Sequence, residues 1–141
     1  MTVRVEVLVP DRSLWSGTAD QVIAKTLDGD IGVLGGHAPV FGVLAEGSLV
    51  RILGPSEGDG SGSASPGSDP RTPEIRAAVT GGFLSVTEDK VTVLAADALL
   101  GPEVDTSAAK QEADTATAQE GPDSPDARYA KARLRAAGEQ A

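Results

Sequence analysis

Cysteine is absent from the 141 residues. That excludes disulfide staples, thiolate nucleophiles and cysteine-based zinc sites. Histidine occurs once, at His37, and a protein-bound metal needs three or more ligands, so His37 reads as a structural or interface residue. Positive charge is scarce: 12 Lys and Arg stand against 21 Asp and Glu, a formal net charge of -9. Nucleic-acid binders carry the opposite electrostatic footprint, and sequence-independent attraction to anionic lipid is disfavoured for the same reason. Aromatic residues make up only 3% while hydrophobic residues make up 40%, so a core must be built from Val, Leu, Ile and Ala. No stretch approaches the roughly 20 apolar residues that span a bilayer. The first residues alternate apolar and polar, which is not the pattern of a signal peptide. A membrane is therefore expected to be reached only through partners.

What is present is a strand rhythm. Val3, Val5, Val7 and Val9 recur at period two, the mark of a half-buried strand. Pro10-Asp11-Arg12-Ser13 reads as a turn, then Leu14-Trp15-Ser16 and 20–26 as short strands. Asp28-Gly29-Asp30 turns the chain into 31–34, and 40–44 follows. Glu46-Gly47 is expected to turn into 48–52. Residues 74–79 are expected to pair with 48–52. Segments 83–87 and 90–95 form a hairpin turned at Glu88-Asp89. Short strands with frequent turns predict a β-sandwich. The intervening 54–73 hold one Ala and no larger apolar side chain. They cannot bury enough surface to offset their ordering entropy and are expected to be a flexible excursion at one hairpin tip.

From Pro102 the pattern changes to helix formers. The spacing predicts helices over 103–120 and 126–137, separated by Gly121-Pro122. The fold class is thus mainly β: an N-terminal antiparallel β-sandwich domain over 1–100, with a flexible insertion at 54–73, and a C-terminal two-helix hairpin over 101–141. Residues 103–123 carry six acids and one Lys; 126–137 carry Asp126 against Arg128, Lys131, Arg133 and Arg135. Two uses of these charges stay open: an antiparallel pairing of the two helices, or a basic last helix that reaches an acidic partner.

Catalytic chemistry finds few residues. Asp28-x-Asp30 begins like a calcium loop, but Gly32, Val33 and Pro39 occupy the positions that need Asp or Asn, Gly and Glu. Ser107-Ala108-Ala109-Lys110 matches Ser-x-x-Lys without its partner motifs. There is no phosphate loop despite 17 glycines. The residues point to a binding or coupling module rather than an enzyme, and neither a metal nor a cofactor is expected.

Three stretches carry a resemblance. Asp28-Gly29-Asp30-Ile31-Gly32-Val33-Leu34-Gly35-Gly36-His37-Ala38-Pro39, Gly81-Gly82-Phe83-Leu84-Ser85-Val86 and Trp15-Ser16-Gly17 occur in the order and spacing of the epsilon-subunit family of bacterial F-type rotary ATP synthases, which the chain resembles over about residues 2–100. The resemblance implies a sandwich with two C-terminal helices and a non-catalytic rotor subunit on the central stalk. Its implied partners are the gamma subunit and the membrane c-ring, and the implied role is coupling of proton flow to ATP synthesis. The implied location is peripheral, on the cytoplasmic face of the cell membrane. Carried over by motif, Asp30, Gly36, His37, Ala38 and Pro39 lie near the c-ring, and Gly81, Gly82 and Phe83 belong to the gamma-binding region. Arg128, Lys131, Arg133 and Arg135 of the tail would reach the alpha and beta catalytic subunits and inhibit ATP hydrolysis. Three departures stand out. Gly35 replaces a frequent proline, and 54–73 is longer than usual. Val104-Asp105-Thr106-Ser107-Ala108 lacks the arginine of ATP-binding members, so ATP is not expected at the tail. A reading outside the family is a stand-alone β-domain adaptor.

Overall fold

The computed structural model describes residues 2–36, 38–54, 56–60 and 74–139, for 56–60 the backbone alone. Nine strands and two helices are described: β1 (Val3–Val9), β2 (Arg12–Ala19), β3 (Gln21–Thr26), β4 (Gly29–Leu34), β5 (Val40–Leu53), β6 (Ser56–Gly60), β7 (Glu74–Thr87), β8 (Lys90–Ala95), β9 (Ala98–Leu100), α1 (Thr106–Glu120) and α2 (Pro125–Ala136). They form the expected sandwich with two C-terminal helices. One continuous hydrogen-bonded path runs β4-β3-β5-β7-β8-β1-β2-β6, with β9 also on β7. All neighbours are antiparallel except β1 and β8, which run parallel.

The path makes two layers because β5 and β7 are long enough to serve both. Each has 14 residues. Their first-layer halves pair Val50 with Ala77 and Ile52 with Ile75 and continue to β3; their second-layer halves pair Val43 with Phe83 and continue to β8. Between the halves the register shifts at Glu46 to Ser48. The predicted turn at Glu46-Gly47 is therefore a bulge inside one strand, and the two short strands predicted at 74–79 and 83–87 are likewise one. A bulge bends a strand and raises its twist without ending its pairing, which is why its turn-like residues mislead.

Val3, Val5, Val7, Val22, Val33, Val50, Val91 and Val93 are all buried in the core between the layers, with Trp15, Ile52, Ile75, Leu84 and Leu100. On β2 the pairing slips between Val7–Trp15 and Leu8–Ser13. The extra residue, Leu14, lets Leu14 and Trp15 both point inward. The β7–β8 turn falls at Glu88 and Asp89 as expected, both in the left-handed region (φ 47° and 64°), as a two-residue hairpin loop of matching twist requires.

Two strands were not legible. β9 is only three residues long. β6 lies inside the expected excursion and pairs with β2 through Trp15–Gly60, Ser16–Asp59 and Thr18–Ser56; backbone pairing needs no apolar side chain. The remaining excursion residues, 61–73, lie outside the described residues.

The first helix starts later than predicted. Gly101–Glu103 is a short 3₁₀ turn. There the Glu103 carboxylate accepts from Leu100 N at 3.0 Å and from Arg12 Nη1 at 3.1 Å. Asp105 then caps α1, accepting from Ala108 N at 3.1 Å. Ser124 caps α2 in the same way, from Ala127 N at 3.2 Å. Ala109, Ala113 and Ala116 of α1 are buried, as are Ala127, Ala130, Ala132, Leu134 and Ala136 of α2.

Candidate functional site

Among the described residues, an apolar face of the sandwich is left uncovered. Side chains alternate along a strand, and directly paired residues share a face. In the second layer, Leu84, Val86, Val91 and Val93 face the core, so Phe83 and Leu94 face away from it. The register sets Val43 beside Phe83, Phe83 beside Leu94, and Leu94 beside Leu8, a row across four strands. Phe41 flanks the row and stacks on Phe83, with ring centroids 5.4 Å apart. Phe41 is 67% exposed, Leu94 47%, Phe83 45% and Val43 42%. Leu27, also exposed, is tied to this face by its amide, which donates to the Val43 carbonyl at 2.9 Å. A contiguous exposed group of large apolar residues is the kind of surface that proteins use for interaction.

Gly81 and Gly82 do a different job from Phe83. Gly82 has φ +127°, and a Cβ there would overlap the Leu94 carbonyl and stand 2.7 Å from Ala95 Cα. Its bareness lets β8 close on β7 at the bend. Gly81 is buried. Of the three residues in the motif, only Phe83 presents a side chain on the apolar row.

The glycine-rich loop is anchored at the β7–β8 hairpin end of the sandwich. Gly36 N donates to the Asp89 carboxylate at 2.5 Å, and the Asp89 carbonyl accepts from Arg4 N at 2.8 Å. The left-handed turn thus ties the loop to β1. Ala38 and Pro39 are exposed. His37 lies outside the described residues. Asp30 is not brought to this loop. It stands beside Lys25 at the opposite end of β4, about 20 Å along the chain from Gly36 at the rise of an extended strand. Asp89 was missed by sequence reasoning; its signal was a two-residue turn with an acid where both positions need left-handed backbone.

Asp30 is brought instead to the tail. It lines a cavity of about 510 Å³ together with Lys25, Glu46, Arg51, Arg128 and Arg135. The wall of this cavity is the seat of α2. Gly47 has φ +65°, and a Cβ there would stand 2.5 Å from the Tyr129 amide nitrogen and from the Arg128 carbonyl carbon. The bulge therefore brings strand backbone against helix backbone. Ala78, Ala132 and Ala136 pack together beside it, with Leu49 and Tyr129.

The charged tail residues separate. Arg133 pairs with Glu112 of α1 and lies 4.7 Å over the Tyr129 ring. Arg128 and Arg135 face the cavity described above, and Lys131 is half-buried. Burial, with Asp97 nearby, pushes the Tyr129 hydroxyl up to about 12, so it stays neutral in the physiological range. On the far side of Arg133, a second cavity of about 600 Å³ is lined by Asp97, Glu112, Glu120, Asp126 and Arg133 among others. Near the Leu53–Glu74 end of the β5–β7 ladder, Arg51 and Arg76 are directly opposite each other. Glu74 relieves their repulsion, 2.9 Å from Arg51 Nε and 2.8 Å from Arg76 Nη2. Burial pushes the Glu74 carboxyl up, but the hydrogen bonds from the two guanidinium groups outweigh it and hold the group below its ordinary value.

Residues 2–58 match the family model described as ATP synthase, Delta/Epsilon chain, beta-sandwich domain. The ATP synthase epsilon chain of Thermobifida fusca is 48% identical over 107 residues, covering 75% of this chain and 68% of the relative. That of Rhodococcus opacus is 42% identical over 132 residues, covering 94% and 93%. Among solved structures, a chain of the Euglena gracilis mitochondrial ATP synthase superposes with a TM-score of 0.62 at 18% identity, covering 97% of this chain and 78% of that one. At that identity the superposition speaks for the fold alone. One from the Tetrahymena thermophila mitochondrial ATP synthase central stalk and c-ring does so at 0.51 and 17%, covering 96% and 90%. On the strength of the bacterial relatives, this chain belongs to the ATP synthase epsilon chain family.

Proposed function

We propose that the chain is a non-catalytic rotor subunit that docks on the gamma subunit through the apolar row of Leu8, Val43, Phe83 and Leu94 with Phe41. The observation that carries this reading is the placement of that row. Among the described residues it is an apolar surface that the two helices leave uncovered, and a stacked aromatic pair such as Phe41 with Phe83 is the usual kind of anchor in a protein interface. The exposed Ala38-Pro39 end of the glycine-rich loop, with Gly36 and His37, is assigned to the polar loops of the c-ring; Asp30, at the other end of β4 and facing the cavity beside α2, is assigned to the seat of the tail instead. In this reading the subunit reaches the membrane through its partners, on the cytoplasmic face.

The tail is assigned a regulatory part. Docked on the sheet, Arg133 is engaged by Glu112 and Tyr129, and Arg128 and Arg135 face a cavity that also holds Asp30 and Glu46. Release of α2 would present Arg128, Lys131, Arg133 and Arg135 to acidic surface on the alpha and beta subunits and lower ATP hydrolysis. Nucleotide has no part in this reading. The cavity beside Arg133 sets four carboxylates against one guanidinium that is already paired, so a phosphate chain would meet net repulsion there.

The test of docking is calorimetric titration of purified gamma subunit with the full chain and with a Phe41→Ser/Phe83→Ser variant. The variant is expected to lose binding while the fluorescence of the single, buried Trp15 stays native. Undiminished affinity would overturn the assignment of this face. For the tail, truncation after Asp123 is expected to raise ATPase activity of the assembled soluble sector. Equal rates at low salt would remove the inhibitory role.

A further inference from the structure

The outer edge of β2 is covered by a strand of unusual composition. β2 pairs with β1 on one side, and on the other side it pairs with β6. β2 is eight residues long, Arg12–Ala19, and its sequence carries a single charge, at Arg12. Bare, it would present a row of unpaired N–H and C=O groups to solvent, the template on which other strands add. The strand that covers it has a different character. Ser56-Glu57-Gly58-Asp59-Gly60 holds two acids, two glycines and no apolar residue. Its sequence is poor in β-propensity, and acids on a terminal strand repel a further strand. β6 thus replaces a long, nearly uncharged edge by a short acidic one. The opposite end of the path is similar: β4 carries Asp30, Gly29 and Gly32.

We propose that β6 is a built-in edge cap. It occupies in cis the hydrogen-bonding edge at which a second copy of this chain would otherwise pair, β2 against β2, about a two-fold axis. The occupant follows from symmetry and from the pairing already present. This edge accepts an antiparallel strand, as β6 shows, and two identical antiparallel edges satisfy each other in an isologous contact that closes after two copies. The cap explains why a segment without apolar residues is pinned to the sheet, and gives part of the long insertion the role of keeping the free subunit single.

The experiment is sedimentation equilibrium of three full-length or near full-length proteins over a wide concentration range. The natural chain is expected to remain a monomer. A variant in which residues 56–73 are replaced by Asn-Gly is expected to rise toward twice the monomer mass as concentration increases. Adding Ser16→Lys to that deletion puts a lysine near the middle of β2, and like charges brought together by self-pairing are expected to return it to the monomer. A deletion variant that stays monomeric at the highest concentration overturns the proposal, as does a dimer that Ser16→Lys leaves intact. In case the deletion disturbs folding, hydrogen exchange on the otherwise complete Glu57→Pro/Asp59→Pro protein gives an independent reading. Proline removes donors from β6, and amides within 14–18 are expected to exchange at least tenfold faster than in the natural chain. Unchanged exchange there means that β6 does not protect this edge, and the cap fails.

Discussion

The two halves of the β5–β7 pair are built from one ladder and finished in opposite ways. Where the pair runs in the first layer, its outer face carries Leu49 and Ala78 and is covered by α2, whose contact residues are Ala132, Ala136 and the backbone over Gly47. Where it runs in the second layer, its outer face carries Phe41, Val43 and Phe83, which stay exposed among the described residues. Small residues let the chain's own helix lie close, and such a contact buries little area per residue. Leu134 alone contributes about 1.5–3 kcal/mol if fully buried. Large residues left bare keep burial energy that the proposed docking on another protein would release. Side-chain size along two strands thus separates the surface the molecule keeps for itself from the one it offers.

The sharpest way to break this comparison is to place the same charge on each half. Phe83→Asp is expected to lower affinity for gamma by about 30- to 1000-fold, the range of a hot-spot loss of about 2–4 kcal/mol, with the free chain as stable as before. Leu49→Asp is expected to do the reverse, loosening α2 with gamma affinity within about threefold. Titration calorimetry and thermal melts of both variants would expose a failure, which would be equal effects in both assays.

Next in size is the seat itself. Gly47→Ala adds a methyl group where helix backbone already stands and requires a left-handed alanine, which together are expected to weaken α2 docking by about 2–4 kcal/mol. The single tyrosine reports it. With α2 docked, Tyr129 ionises near 12; released, it should ionise near its ordinary 10. Because the folded value is raised, the stability that neutral Tyr129 supports is complete below about pH 10 and is lost as pH climbs through about 12. Absorbance titration near 295 nm of both proteins decides it, and an unshifted Gly47→Ala curve would show that the helix does not depend on this glycine.

Smaller still is the charge cluster at the β5–β7 tip. Glu74→Gln leaves Arg51 opposite Arg76 without a neutralising carboxylate and is expected to cost about 1–2 kcal/mol. The Glu74 value is lowered in the folded chain, so its contribution is present above the ordinary 4.5 and is lost as pH falls through the folded value. Denaturant melts between pH 7 and 3 should show this acid-linked loss in the natural chain and a flatter profile in the variant. Least of all, Lys110→Ala removes an exposed 3.8 Å pair with Glu139 and should change stability by less than about 0.5 kcal/mol.

The strands that bury one face were legible because Val3, Val5, Val7 and Val9 write their periodicity into the sequence. The hairpin partnership of 48–52 with 74–79 was legible through the same spacing on both sides of the excursion. Gly47 was misread as a turn, because a bulge and a turn call for the same residues and only the partner strand distinguishes them; Gly81-Gly82 was left between two strands, although Gly82 pairs in register with Leu44. The start of α1 was misplaced by Glu103, whose acidity suits a helix start but whose carboxylate serves Leu100 and Arg12. Phe83 was found by motif, but its row was not. Val43, Leu94 and Leu8 are scattered along the chain and meet only through the register. Nor could the sequence foresee that Asp30 and the Gly36 loop stand at opposite ends of a strand.

The length of β5 and β7 has a mechanical consequence. Fourteen residues span about 43 Å along the chain at the rise of a strand, so one ladder, shifted in register at Gly47, runs from the bare aromatic face to the helix seat. A load applied along these strands at the Phe41–Phe83 end stresses many hydrogen bonds in shear at once, whereas a hairpin pulled open at its tip yields one bond at a time. The pair behaves as a girder, and the bulge at Gly47 is its one built-in bend.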